Sequence, residues 1–212
     1  MVPTPSDLKA ARQSLIDDSS VTRGALRQAL TCLYDGWLAD LFGDPGPGVA
    51  LVAVGALGRQ DPTLGSDLDL VLVHDGSRDV ASLADQLWYP IWDTGIDLDH
   101  SVRTVVEAAA VAREDLKAAL GLLDARFVAG DASLGEQLIS ATRASWRAGG
   151  GARLAELRAF VDERASQFGE VAFLLEPDLK QARGGMRDVH ALQAVAIAQV
   201  ADVPGEVVRE AY

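Results

Sequence analysis

Two short apolar runs and the glycine-punctuated link between them constrain this chain most. Val49–Val54 is apolar at all six positions, the mark of a strand covered on both faces. Leu68–His74 follows as a second strand signal, preceded by Asp67 and interrupted by Asp69. Gly55 and Gly58 close the first run, and only nine residues, 59–67, separate Gly58 from the second. A parallel βαβ crossover needs a dozen or more residues and a helix. A dinucleotide-binding Gly-x-Gly-x-x-Gly turn needs glycine where position 57 is Leu. The two runs are therefore neighbours joined by a turn or a single helical turn, and backbone N–H groups in such a turn can cradle phosphate.

The carboxylates suggest what that turn serves. Along a strand, Asp67, Asp69, Val71 and Val73 share one face, with the two acids about 7 Å apart. The next acid in an apolar-acid-apolar frame is Asp97, in a third strand signal predicted over 96–102, which also carries Asp99. If these strands are neighbours, Asp67, Asp69 and Asp97 converge at one end of a sheet. Like charges ~4 Å apart repel by about 4 kcal/mol at an effective dielectric near 20. A divalent cation is the usual counter-charge, and Mg²⁺ prefers one or two carboxylates together with substrate phosphates. The alternative is that these acids are the polar face of a half-exposed strand, but Val71 and Val73 on the same face argue against it. An EF-hand loop does not fit, because position 71 is Val where a ligand is needed.

Around this centre the chain reads as helices. Predicted spans are 6–18, 22–42, 79–92, 104–113 (from a Thr104/Glu107 capping box), 115–128, 133–146 (from a Ser133/Glu136 capping box), 153–167 and 186–200. A helix-like stretch follows at 205–212, and 171–175 is strand-like or irregular. Gly149–Gly151 is the clearest flexible joint, so the expected domains are 1–148, holding the small sheet, and 149–212, helical. Everything after about residue 105 is expected to be helical. The net charge of −12 argues against a nucleic-acid partner. No apolar run reaches the ~18 residues of a membrane helix, no secretory signal is visible, and the one cysteine, Cys32, allows no internal disulfide. These features fit a cytoplasmic protein.

Gly55-Ala56, then Asp67-Leu68-Asp69-Leu70, then Ile96-Asp97-Leu98 resembles the pattern of polymerase-β-type nucleotidyltransferases. The longer blocks VAVGALGRQDPTLGSDLDLVLV, IWDTGIDLDHSVRT and LLEPDLKQARGGMRDVHALQ resemble, more specifically, the N-terminal part of the bifunctional uridylyltransferase/uridylyl-removing enzymes that modify the nitrogen-regulatory PII protein. The match runs from about residue 49 to 200. It implies an α/β (α+β) fold: a small mixed sheet flanked by helices, followed by a helical subdomain. It implies transfer of UMP, or AMP, from UTP or ATP to a PII tyrosine with release of pyrophosphate. Asp67, Asp69 and Asp97 would be catalytic and would ligate two Mg²⁺ ions, with Mn²⁺ as a substitute. Gly55, Ala56, Arg59 and Ser66 would line the nucleotide. Lys180, Arg183, Gly184, Gly185, Arg187 and Asp188 would fold back toward it; two glycines between basic residues ahead of a helix also read as an anion site.

Two departures matter. Ala56 stands where the superfamily usually has Ser and this family commonly Gly, and a left-handed turn there would be strained. The family also continues into an HD-type phosphohydrolase domain and paired ACT domains. His74, His100 and His190 stand far apart, so the chain is read as a fragment without de-modification or glutamine sensing. Alternative functions are an adenylyltransferase of the type that modifies glutamine synthetase, or a non-catalytic nucleotide-binding or partner-docking module.

Overall fold

The computed structural model describes residues 4–18, 20 and 22–198. These form two compact units, one made of residues up to 111 with 124–141, the other of 112–123 with residues from 142 onward. The predicted helix-like stretch at 205–212 lies outside the described residues.

The first unit is built on a mixed four-stranded sheet. Its strands are β1 (Val49–Val54), β2 (Leu68–His74), β3 (Leu98–Thr104) and β4 (Arg126–Gly130), in the order β3-β2-β1-β4. β1 is antiparallel to β2, pairing Val49 with His74 and Val54 with Asp69. β1 is also antiparallel to β4, with a register shift between Leu51 and Val52. β2 and β3 are parallel, with Leu68 opposite Leu98 and Asp69 opposite Asp99. The short link after β1 gives an antiparallel pair, as its length requires.

Helices α1 (Pro5–Asp17), α2 (Arg23–Phe42) and α4 (Ala81–Asp93) supply the core on one face of the sheet, where Leu30, Tyr34 and Leu38 join Leu51, Leu68, Leu70, Leu72, Leu87 and Ile91. α1 starts with a complete Thr4/Asp7 capping box, and α2 with the Thr22 hydroxyl accepting from the Ala25 N–H. α2 stops at Gly43, whose φ of 63° only glycine adopts easily. Val52, Val71 and Val73, on the opposite face, are buried as well, so the acid-bearing face of β2 continues into the interior.

α3 (Gly55–Gly58) is a single turn after β1, and α5 (Val105–Glu114) starts from the predicted Thr104/Glu107 capping box, with bonds of 2.7, 3.0 and 3.2 Å. In the second unit lie α6 (Leu116–Leu123) and the C-terminal portion of α7 (Ala132–Phe168), followed by a 3-10 turn (Val171–Phe173) and α8 (Met186–Ala198).

Three expectations change. The span 115–128 is not one helix: α6 ends at Leu123 and the chain reappears as β4, so the part after residue 105 is not all helical. β3 starts at Leu98 rather than Ile96. At Gly150 (φ 42°, ψ −123°) α7 breaks into two helices that meet at a kink, inside the predicted Gly149–Gly151 joint. The Ser133 capping box does not form. Asp131 takes that role, its carboxylate accepting from the N–H groups of Ser133 (3.0 Å) and Leu134 (3.3 Å) and from the Ser133 hydroxyl (2.7 Å).

Asp131 also accepts from the Gly48 N–H at 2.9 Å, tying the start of α7 to the start of β1. That bond first, then the Ser133 hydroxyl, lowers its pKa to about 2. A depressed carboxyl stabilises the fold above the ordinary carboxylate range and loses that contribution as pH falls through the folded value. Asp131→Asn is therefore expected to lower Tm at neutral pH and to flatten the loss of Tm between about pH 4 and about pH 2; thermal melts followed by circular dichroism across that range check it.

Candidate active site

The end of β1 sets the geometry. Gly55 has φ +58°, and a Cβ built on it would lie 2.0 Å from Asp69 Oδ2. The Asp69 carboxylate therefore lies across the turn, in space that any other residue at 55 would fill. Gly58 is equally restricted: its Cβ would meet the Asp124 carbonyl at 2.3 Å and the Ala53 carbonyl at 3.0 Å. Ala56 sits between them in helical conformation. The positive φ falls on Gly55 and, beyond the turn, on Gln60 (φ 63°), so the strain expected at Ala56 is absent.

The turn is braced from β4 and its approach. Arg126 forms a two-pronged ion pair with Asp35 of α2 (2.9 and 2.8 Å) and donates to the Leu57 carbonyl at 3.0 Å. Arg59 donates to Asp124 at 2.5 Å and pairs with Asp61 at 3.5 Å, its side chain only 17% exposed. Sequence reasoning placed Arg59 on the triphosphate; the structure engages its guanidinium in an internal pair that fixes the turn. The Ser66 hydroxyl is likewise part of a local turn, accepting from the Thr63 N–H at 2.9 Å. Arg12 of α1 holds the same loop through the Leu64 carbonyl at 2.6 Å.

Asp67, Asp69 and Asp97 come to one end of the sheet. The Leu68 N–H donates to the Asp97 carbonyl at 2.8 Å, which places Asp97 at the mouth of β3. Asp67 and Asp97 are exposed, and Asp69 is half-buried. The register puts Asp99 beside Asp69, a neighbour that the sequence frame alone did not select. Among the described residues, no three His, Cys, Asp or Glu side chains are gathered closely enough to hold a metal ion by themselves. The donor set is oxygen only, half-open, and seated against a glycine cradle. That fits a hard cation completed by substrate phosphates rather than an all-protein cage.

The second predicted set lies in the other unit. Gly184 takes φ +83°, and Gly185 has no room for a side chain, since a Cβ would meet the Leu179 carbonyl at 2.6 Å. The turn presents Lys180, Arg183 and Arg187 as exposed cations; Arg183 pairs loosely with Glu170 at 3.6 Å. Asp188 is held from within the same unit. Its carboxylate accepts from the Gly184 N–H at 2.7 Å and pairs with Arg164. Arg164 is buried, 6% exposed, and also donates to the Gln181 carbonyl at 3.0 Å. Burial is the largest influence on Arg164 and lowers its pKa, with Asp188 opposing. Sequence reasoning missed Arg164, because one arginine in a helical run of polar residues carries no signal of burial.

A family model described as GlnD PII-uridylyltransferase matches residues 152–208. Three curated relatives are named bifunctional uridylyltransferase/uridylyl-removing enzyme. The one from Streptomyces coelicolor is 53% identical over 98% of this chain and 25% of its own length. Those from Mycobacterium tuberculosis H37Rv and Corynebacterium glutamicum are 45% and 40% identical, over 94% and 74% of this chain and 26% and 22% of their own lengths. The chain thus spans about a quarter of the relatives it matches.

Four substitutions test the local geometry. Gly55→Ala is expected to destabilise the fold by about 1–3 kcal/mol, through backbone strain and displacement of Asp69, while Ala56→Gly stays near neutral. Arg164→Met is expected to cost about 2–3 kcal/mol, the low end for breaking a buried pair because Asp188 is partly exposed. Arg183→Met is expected to cost under about 1 kcal/mol. Urea unfolding of the four variants gives the ranking.

Proposed function

Because the chain belongs to the family of bifunctional uridylyltransferase/uridylyl-removing enzymes, we propose that it transfers UMP from UTP to a tyrosine hydroxyl of a PII-type signalling protein, releasing pyrophosphate. The observation that carries this reading is the Asp69 carboxylate held against Gly55 at the turn after β1, beside Asp67 and Asp97. Asp67, Asp69 and Asp97 would hold Mg²⁺, or Mn²⁺, in a two-ion arrangement. When bound, the metal neutralises phosphate charge and favours the ionised form of the attacking hydroxyl.

The chain's own residues do the rest. The N–H groups of the Gly55–Ala56 turn face the triphosphate, and the absence of a side chain at Gly55 lets it approach. Asp97 accepts the tyrosine proton, the phenolate oxygen forms a bond to the α-phosphorus, and the bond from that phosphorus to the bridging oxygen breaks, so pyrophosphate leaves with the electron pair. In the other unit, the Gly184–Gly185 turn carries exposed Lys180, Arg183 and Arg187, cations of the kind that bind phosphate. Arg59 and Asp188 brace the two turns rather than contact the nucleotide, and Ser66 shapes the loop before Asp67. Among the described residues, no helix is long and apolar enough to cross a membrane.

The test is transfer itself. The chain is incubated with a PII-type protein, Mg²⁺ and either UTP or ATP, and intact mass is read on the acceptor. One uridylyl group per tyrosine is expected with UTP, lost in Asp67→Asn/Asp69→Asn and on chelation of the metal. Labelling by ATP alone would reassign the donor, and labelling that survives the double substitution would sink the catalytic assignment.

A further inference from the structure

β3 is an edge strand whose only blunting device is its two charges, Asp99 and Arg103. It lies outermost in the order β3-β2-β1-β4, is seven residues long, contains no proline, and pairs with β2 without irregularity from Leu68/Leu98 to His74/Thr104. Native edges are usually blunted by shortness, proline, bulges or charge, because their free N–H and C=O groups invite another strand. The Asp97 carbonyl accepts from Leu68 of β2. Backbone groups alternate sides along a strand, so those of Leu98, His100 and Val102 point away from β2. They make no backbone hydrogen bond among the described residues.

The surface beside this edge is aromatic on one face, and the other face is acidic at the Asp97 and Asp99 end with Arg103 at the far end. Trp92 and Tyr89 of α4 are 45% and 61% exposed, and Val102 is 38% exposed. Trp92 meets the His100 ring at 5.4 Å, edge to face, and Tyr89 meets Trp92 at 5.4 Å in the same manner; buried Trp88 backs His100 at 4.8 Å. Mutually packed rings form a stiff apolar ledge that loses little freedom when covered. Asp97 and Asp99 share the opposite face and stand exposed with Asp93 nearby in the chain.

We propose that the free edge of β3 receives an extended, basic segment of the acceptor protein by strand addition, which delivers its tyrosine to the Asp97 end of the sheet. This rests on the transfer reading above. At about 3.3 Å per residue, a segment of about six residues covers the edge from Val102 to Asp97. Its alternate side chains rest on the Trp92/Tyr89 ledge, and the intervening ones, the tyrosine included, lie on the acid face. The acidic end and the net charge of −12 select a positively charged segment and disfavour a second copy of this chain.

Binding of the acceptor is measured by calorimetry on wild type, Val102→Pro, Val102→Lys and Trp92→Ser, alongside KM values for acceptor and UTP. Proline at 102 removes only an outward N–H and leaves the β2 ladder intact; lysine there charges the edge without backbone change. The expected result is a rise of about tenfold or more in acceptor Kd and KM, the scale of losing an anchoring contact, with UTP KM and Tm unchanged. Unchanged acceptor affinity in a folded Val102→Lys and Trp92→Ser would overturn the proposal, as would no binding by wild type. A loss of dimer in sedimentation, caused by the edge variants, would assign the edge to a second copy instead. Tight acceptor binding with no labelling by either nucleotide would leave the docking surface standing and remove the transfer reading.

Discussion

The close approach of Asp69 to Gly55 is the contact on which the rest of the site depends. A carboxylate and a turn occupy space that one methyl group would deny them. The consequence is reciprocal. β1 must end in a residue that tolerates φ +58° without a side chain, and β2 must carry its acid opposite Val54, where the antiparallel register delivers it. That register is fixed because β2 buries Leu68, Leu70 and Leu72 on one face and Val71 and Val73 on the other. A slip of one residue would carry Asp69 to the leucine face.

Such a turn needs support, because a four-residue helix has too few hydrogen bonds to hold itself. Support comes from charge. Arg126 ties the Leu57 carbonyl to Asp35, and Arg59 ties the exit of the turn to Asp124. The second unit repeats the device with Arg164, Asp188 and Gly184. In both places a buried or half-buried arginine organises glycines whose backbone must stay where it is. These arginines thus fix the backbone of the two turns from behind.

Much of the sheet was legible in the sequence. β1 and β2 coincide with their predicted bounds because unbroken and alternating apolar runs, ended by glycine and charge, leave one interpretation. β4 was not legible. Its five residues follow α6 after only Asp124 and Ala125, with no glycine or proline to announce the change, so helical periodicity ran on through it. The candidate acids could be read from their frame, but their pairing could not, since only strand register shows that Asp99 lies beside Asp69. The internal partners of Arg59 and Asp188 were not legible either, since they lie far along the chain: Asp124 sits 65 residues from Arg59, and Arg164 sits 24 from Asp188.

The central claim is that the carboxylates at this sheet end make an incomplete metal shell that nucleotide phosphates complete. Electron paramagnetic resonance of Mn²⁺, titrated against the protein with and without a non-hydrolysable UTP analogue, addresses it directly. The account requires weak Mn²⁺ binding alone, tight binding with the analogue, and loss of the tight component in Asp69→Asn. Tight binding without nucleotide, or binding indifferent to Asp69, would contradict it.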